Sequence, residues 1–184
     1  MVQLEPQLMW PLYKPIEDED YKYELLEPFV VRLPNCPLYK DVSLVQSHGN
    51  TNFYISLKRE FSNDVGYFGD KLDCRLYVAE GFRWDGPSGP TVDNPSWMRG
   101  PLVHDILSLL GRAGLLSAKA RKWADRMMLE ILLTDNIYTH KPSNWRESLK
   151  KSAHNVWARA RAYSWYYGVR LFARSSFKKN VKRW

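Results

Sequence analysis

The sequence predicts an α+β fold: a small antiparallel sheet of three or four strands, then three helices, with an extended Pro-rich arm in front. Three observations carry that expectation. Apolar runs of strand length, some alternating with polar residues, lie between residues 29 and 82. After Asn94-Pro95 the apolar spacing turns helical, and Pro6, Pro11, Pro15 and Pro28 punctuate the first 28 residues. The organisation that follows is an arm over 1–28, one α+β domain over 29–175 and a basic tail over 176–184.

Each proline in the arm removes a backbone donor and fixes φ, so no long helix forms there. Trp10, Tyr13, Tyr21 and Tyr23 argue that the arm packs on something, its own domain or a neighbouring protein. Phe29–Leu33 ends at Pro34, Val42–Val45 is a second short run, and Phe53–Phe61 alternates as a half-buried strand should. Leu72 to Phe82 reads as one further strand with Leu72, Cys74, Leu76 and Val78 on a single face. Asn63-Asp64, Gly66 and Gly69 break the chain before it.

The first helix is expected over Trp97–Leu110, with Leu102, Val103, Ile106, Leu109 and Leu110 as its stripe and Gly111 and Gly114 as its stop. Ser117 suits the N-cap of a second helix carrying Ala120, Trp123, Ala124, Met127, Met128 and Ile131. Ser143, with Glu147 near the capping-box position, opens a third helix expected to run to about Arg174.

Charge is divided along the chain. Residues 1–111 hold 10 Lys+Arg against 16 Asp+Glu, and residues 112–184 hold 17 against 4, giving −6 and +13. A basic C-terminal third suits an anionic partner such as nucleic acid, lipid headgroups or an acidic protein. It equally suits a solvated helical face, since no known nucleic-acid motif accompanies it. No apolar run approaches the ~20 residues of a membrane span, so no transmembrane segment is expected, nor a signal peptide from the first ten residues. Cys36 and Cys74 could form one disulfide, but without CxxC spacing they are expected as reduced, partly buried thiols.

Chemistry concentrates between Gly81 and Asp105. Asp85 follows a strand end in Trp84-Asp85-Gly86-Pro87-Ser88-Gly89-Pro90, where two prolines stiffen the loop and glycines permit close backbone approach. Such a loop can hold a carboxylate for metal ligation or proton transfer, or Asp85-Gly86 can be turn chemistry. At 100° per residue His104 points about 145° and Asp105 about 115° from the centre of their helix's stripe. His104 shares its side with Gly100, Ser108 and Gly111, so that side either packs closely on another helix or lines a pocket. Imidazole beside carboxylate suits Zn, Mn or Fe, whereas a histidine bonding between helices needs no metal. Asp125 sits at the margin of the second helix's stripe, next to Arg126 and one turn after Arg121, where a plain ion pair is the competing explanation. GxSxG, HExxH, P-loop and GxGxxG patterns are absent, so no nucleotide cofactor is expected.

Gly81-Phe82, Asp85-Gly86, Ser88 and Pro90, then His104-Asp105, then Ala124-Asp125-Arg126, then Tyr166-Tyr167-Gly168-Val169-Arg170 form a recognisable set over roughly residues 50 to 175. The set resembles an uncharacterised family found mainly in bacteriophages and prophages, a domain of unknown function. Trp84 stands where that family more usually has a small hydroxyl residue, and Pro87 where it has a small one. The resemblance implies viral origin and co-location of Asp85, His104, Asp105 and Asp125, without supplying a reaction.

The first functional expectation is a metal-dependent hydrolase. Asp85, His104, Asp105 and Asp125 would hold one divalent ion that lowers the pKa of its water toward ~7. Ser88, the Gly86 N–H and Arg126 would orient an anionic phosphodiester or nucleotide substrate. A metal-free His104-Asp105 acid-base pair is a variant of this expectation. The second is a virion or assembly component, tail or baseplate, with the N-terminal arm and the basic tail as docking elements and the polar residues as a structural knot. The third is an inhibitor of a host defence that acts by binding. The compartment expected is host cytoplasm or virion.

Overall fold

The computed structural model describes residues 10–17, 21–38, 40–48, 51–61, 72–86, 94–117 and 120–172. Among the described residues seven strands precede the helices: β1 Tyr13–Pro15, β2 Tyr23–Leu25, β3 Phe29–Leu33, β4 Val42–His48, β5 Thr51–Phe61, β6 Leu72–Val78 and β7 Arg83–Trp84. A short 3₁₀ turn at Pro95–Trp97 leads into α1 Arg99–Arg112, followed by α2 Ala120–Asn136 and α3 Trp145–Phe172. The fold is α+β, with all strand pairings antiparallel.

The main sheet runs β3-β6-β5-β4. Its register sets Phe29 and Ile55 against Val78, Val31 and Leu57 against Leu76, and Leu33 against Cys74. Period-two alternation therefore sends all eight side chains to one buried face. That face lies in the same core as Leu102, Ile106 and Leu110 of α1 and Ala120, Ala124 and Met127 of α2. The side chain of Leu72 lies outside the described residues.

The stretch from Leu72 to Phe82 is not one strand. The chain leaves the main sheet at Val78, turns at Gly81 with φ 81°, and β7 enters a second sheet ordered β1-β2-β7. The Gly81 N–H donates to Leu25 O and holds that turn. Tyr13, Tyr23 and Trp84 pack there with ring centroids 5.3–5.7 Å apart. The described parts of the arm thus pack on the chain's own β7.

The cysteine expectation is corrected. Cys36 and Cys74 are joined in a disulfide, their Cα atoms 5.5 Å apart across 38 residues. Sequence separation hid this, because only the Leu33–Cys74 pairing and the left-handed turn at Asn35 (φ 53°) bring the two together.

α1 is buried all round except at Asp105 and Arg112, as expected of a helix in mid-core. It ends at Gly114 (φ 74°), where Gly114 N–H donates to Gly111 O and Leu115 N–H to Leu110 O. That pair of bonds is a Schellman ending, for which a residue without Cβ is favoured. Gly111 itself stays inside the helix. At α3 the cap is Asn144, whose Oδ1 accepts from Glu147 N–H, one residue beyond the Ser143 expected. Glu147 reaches back to the N–H and hydroxyl of Ser143. A smaller apolar cluster of Trp97, Met128, Leu132, Ala158 and Ala162 fixes α3 on α2.

Candidate functional site

The small side of α1 packs closely against α2 and lines no pocket at Gly100. A Cβ there would stand 2.9 Å from Leu132 Cγ and 3.1 Å from Met128 O. One turn after that close approach His104, 5% exposed, meets Asp125, 1% exposed. His104 Nε2–H donates to Asp125 Oδ1 at 3.1 Å, while Nδ1 faces the Asp105 carboxylate at 3.7 Å, an ion-pair separation. Ser108, one turn further on the same side, is buried with its hydroxyl unbonded among the described residues.

Asp125 turns its other oxygen, Oδ2, toward two guanidiniums. Arg170 Nη1 of α3 lies at 3.6 Å and Arg121 Nε, one turn earlier on α2, at 4.0 Å. Arg121 also donates to the carbonyls of Val169 and Arg170 at 3.2 and 3.0 Å. Three helices therefore meet at one buried carboxylate. Arg121 was legible as an ion-pair partner from its i,i+4 spacing. Arg170, 45 residues away in sequence, carried no local signal beyond its place in the resemblance.

Burial would lower the His104 pKa, but the Asp105 and Asp125 carboxylates outweigh it and raise it to about 9. The ring is therefore an imidazolium at neutral pH. Asp105 is raised from the usual carboxylate value by burial, reinforced by the like charge of Asp85 and opposed by His104 and Arg112. Its side chain is 36% exposed, at the rim of the α1 interface. Asp85, directly after β7, is exposed.

The expected residues thus separate. His104, Asp105 and Asp125 form one connected group, with Asp85 near enough to act on Asp105 electrostatically. Arg126 is exposed while its neighbour Asp125 is buried, so it does not share that interior. Gly86 is buried with φ 74°, and a Cβ there would fall 2.5 Å from the Tyr23 ring. That contact explains the glycine structurally. Ser88 lies outside the described residues.

A second buried ion pair was not anticipated. Arg99 at the start of α1 grips Asp135 near the end of α2 with both its Nε (3.0 Å) and Nη2, and the side chains are 4% and 2% exposed. The adjacent Asn136 donates to Ser96 O at 2.8 Å.

For metal binding, Asp85 and Asp105 offer oxygen donors near the surface, whereas both His104 nitrogens face carboxylates. Among the described residues no three His, Cys, Asp or Glu stand together in a metal-holding group. No helix among them is long and apolar enough to cross a membrane. Comparison with family models, curated proteins and solved structures finds no match.

Proposed function

We propose that the chain acts by binding, as a virion or assembly component, and that its polar cluster is a structural knot. The observation that carries the structural-knot reading is the commitment of His104, while the assembly role rests on the sequence resemblance. Both ring nitrogens point at carboxylates within a buried helix interface, and the anchoring Asp125 is itself ringed by Arg121 and Arg170. A general base needs a free lone pair within reach of substrate, and an imidazolium in a closed interface has none. Quantitative mass spectrometry of purified particles from the host that carries the chain tests the proposal. A fixed copy number per particle, or per assembly intermediate, is expected. Absence from both would overturn it.

One observation favours a second reading, the metal-dependent hydrolase. Asp105 is raised, partly exposed and under the influence of Asp85, which is how a reacting carboxyl pair is arranged. In that reading Asp85 and Asp105 hold a divalent ion (Zn, Mn or Fe), and His104 and Asp125 position Asp105 from behind. The ion would supply an activated water to a phosphodiester or nucleotide. Metal analysis of the purified chain, with bis-p-nitrophenyl phosphate turnover by it and by Asp85→Asn and Asp105→Asn, decides this reading. It requires stoichiometric metal and turnover lost in both variants.

A further inference from the structure

α3 carries two apolar faces, and among the described residues only one is covered. Its inner face sets Ala158 and Ala162 in the cluster with Trp97, Met128 and Leu132, with Trp165 and Val169 packed against them. On the opposite side Trp145, Leu149, Val156, Tyr163, Tyr167 and Leu171 are each at least 43% exposed. With the exposed Ala153 and Ala160 they fall within an arc of about 80° at 100° per residue. The stripe runs the whole helix, about 42 Å for its 28 residues. Isolated exposed apolar residues are ordinary, but a continuous aligned row of this length is an interaction surface.

Its borders identify the occupant. Arg146 and Lys150 line one edge and Arg159 the other, with the Arg146 guanidinium 5.4 Å from the Trp145 ring centre. The one acid of α3, Glu147, lies off the stripe, bonded to Ser143. A second copy of the chain would bring like charges together along both edges. A helical protein partner would have to fit alternating large and small side chains, Leu149, Ala153, Val156, Ala160 and Tyr163, into matched holes. A lipid interface is fluid and accepts that uneven relief. Trp and Tyr are the residues that settle at headgroup depth, and cations on both edges of an apolar stripe meet anionic headgroups.

We infer that the outer face of α3 is a peripheral membrane-binding surface that lies flat on anionic lipid. The stripe enters the acyl boundary while Arg146, Lys150 and Arg159 engage phosphate. This inference goes beyond the assembly reading and stands without it.

Flotation of the full-length protein with vesicles tests it. Vesicles of phosphatidylglycerol and phosphatidylcholine, and of phosphatidylcholine alone, are compared at low and at 0.5 M salt. Binding is expected to the anionic vesicles, weakened at least tenfold by high salt or by removal of phosphatidylglycerol. The Arg146→Gln, Lys150→Gln, Arg159→Gln combination is expected to weaken it roughly a hundredfold. The Leu149→Ser, Val156→Ser, Leu171→Ser combination keeps every charge and is expected to abolish the blue shift of Trp145 fluorescence, read as the difference from Trp145→Phe. Circular dichroism confirms that each variant folds, which exposed positions should permit. No flotation of the parent protein overturns the inference. So does flotation that both combinations leave unchanged, which would assign binding to another part of the chain. Saturable capture of an acidic helical protein that abolishes vesicle binding without lipid dependence would assign the face to a protein partner instead.

Discussion

His104 of α1 and Asp125 of α2 meet at 3.1 Å across an interface so tight that their side chains are 7% and 1% exposed. The closeness comes from Gly100, one turn before His104, which lets the helices approach where a Cβ would meet Leu132. A charged pair in such a place needs compensating charge, and Arg170 (3.6 Å), Asp105 (3.7 Å) and Arg121 (4.0 Å) supply it at ion-pair distance, although Asp125 Oδ2 accepts no hydrogen bond among the described residues.

Stability should depend on pH through His104. Its folded pKa of about 9 stands above the ordinary 6.5, so the bound proton stabilises the fold. The contribution is fully present below pH ~6.5 and is lost as pH rises through about 9. It is on the order of 3 kcal/mol, from a difference of about 2.5 pH units at ~1.4 kcal/mol each. The melting temperature of the parent chain is expected to fall across that window, and that of His104→Gln to stay nearly flat. A parallel slope in both would remove His104 as the cause.

Removing one partner of a buried pair leaves the other charge uncompensated. Asp125→Ala strands His104, Arg121 and Arg170 together and is expected to cost roughly 3–5 kcal/mol in urea unfolding. Asp135→Ala, which strands Arg99, should cost a similar amount. A loss below ~1 kcal/mol in either would mean that the groups reach water more freely than their burial shows.

Gly100→Ala places a methyl 2.9 Å from a Leu132 side-chain carbon and 3.1 Å from the Met128 carbonyl. The side chain can yield but the carbonyl cannot, so a loss of roughly 1–3 kcal/mol is expected. Because the shift moves α1 away from α2, the His104 pKa followed by NMR should fall at the same time.

The Cys36–Cys74 disulfide closes a loop of 38 residues in sequence separation. Loop-closure entropy assigns it about 3–4 kcal/mol, so dithiothreitol should lower the melting temperature by several degrees. An unchanged transition after mass spectrometry confirms reduction would show that the main sheet holds β3 to β6 without it.

Residue pattern alone determined the order of elements here. Period-two runs marked β3 and β5, and 3.6-residue stripes marked α1 and α2, because these patterns follow from backbone geometry and one-sided burial. The same periodicity placed His104 off the apolar stripe of α1. It did not reveal that α1 is covered on nearly every side, and so could not tell pocket from close packing. Tertiary structure decided that, through Gly100 against Leu132. It also decided the Cys36–Cys74 bond, the switch of β7 into a second sheet and the arrival of Arg170 at Asp125. Each joins residues dozens of positions apart, and local pattern carries no term for such distances. Between Gly81 and Asp105, Asp85 is a surface acid that acts on Asp105 electrostatically, while His104 belongs to the interior that holds three helices together.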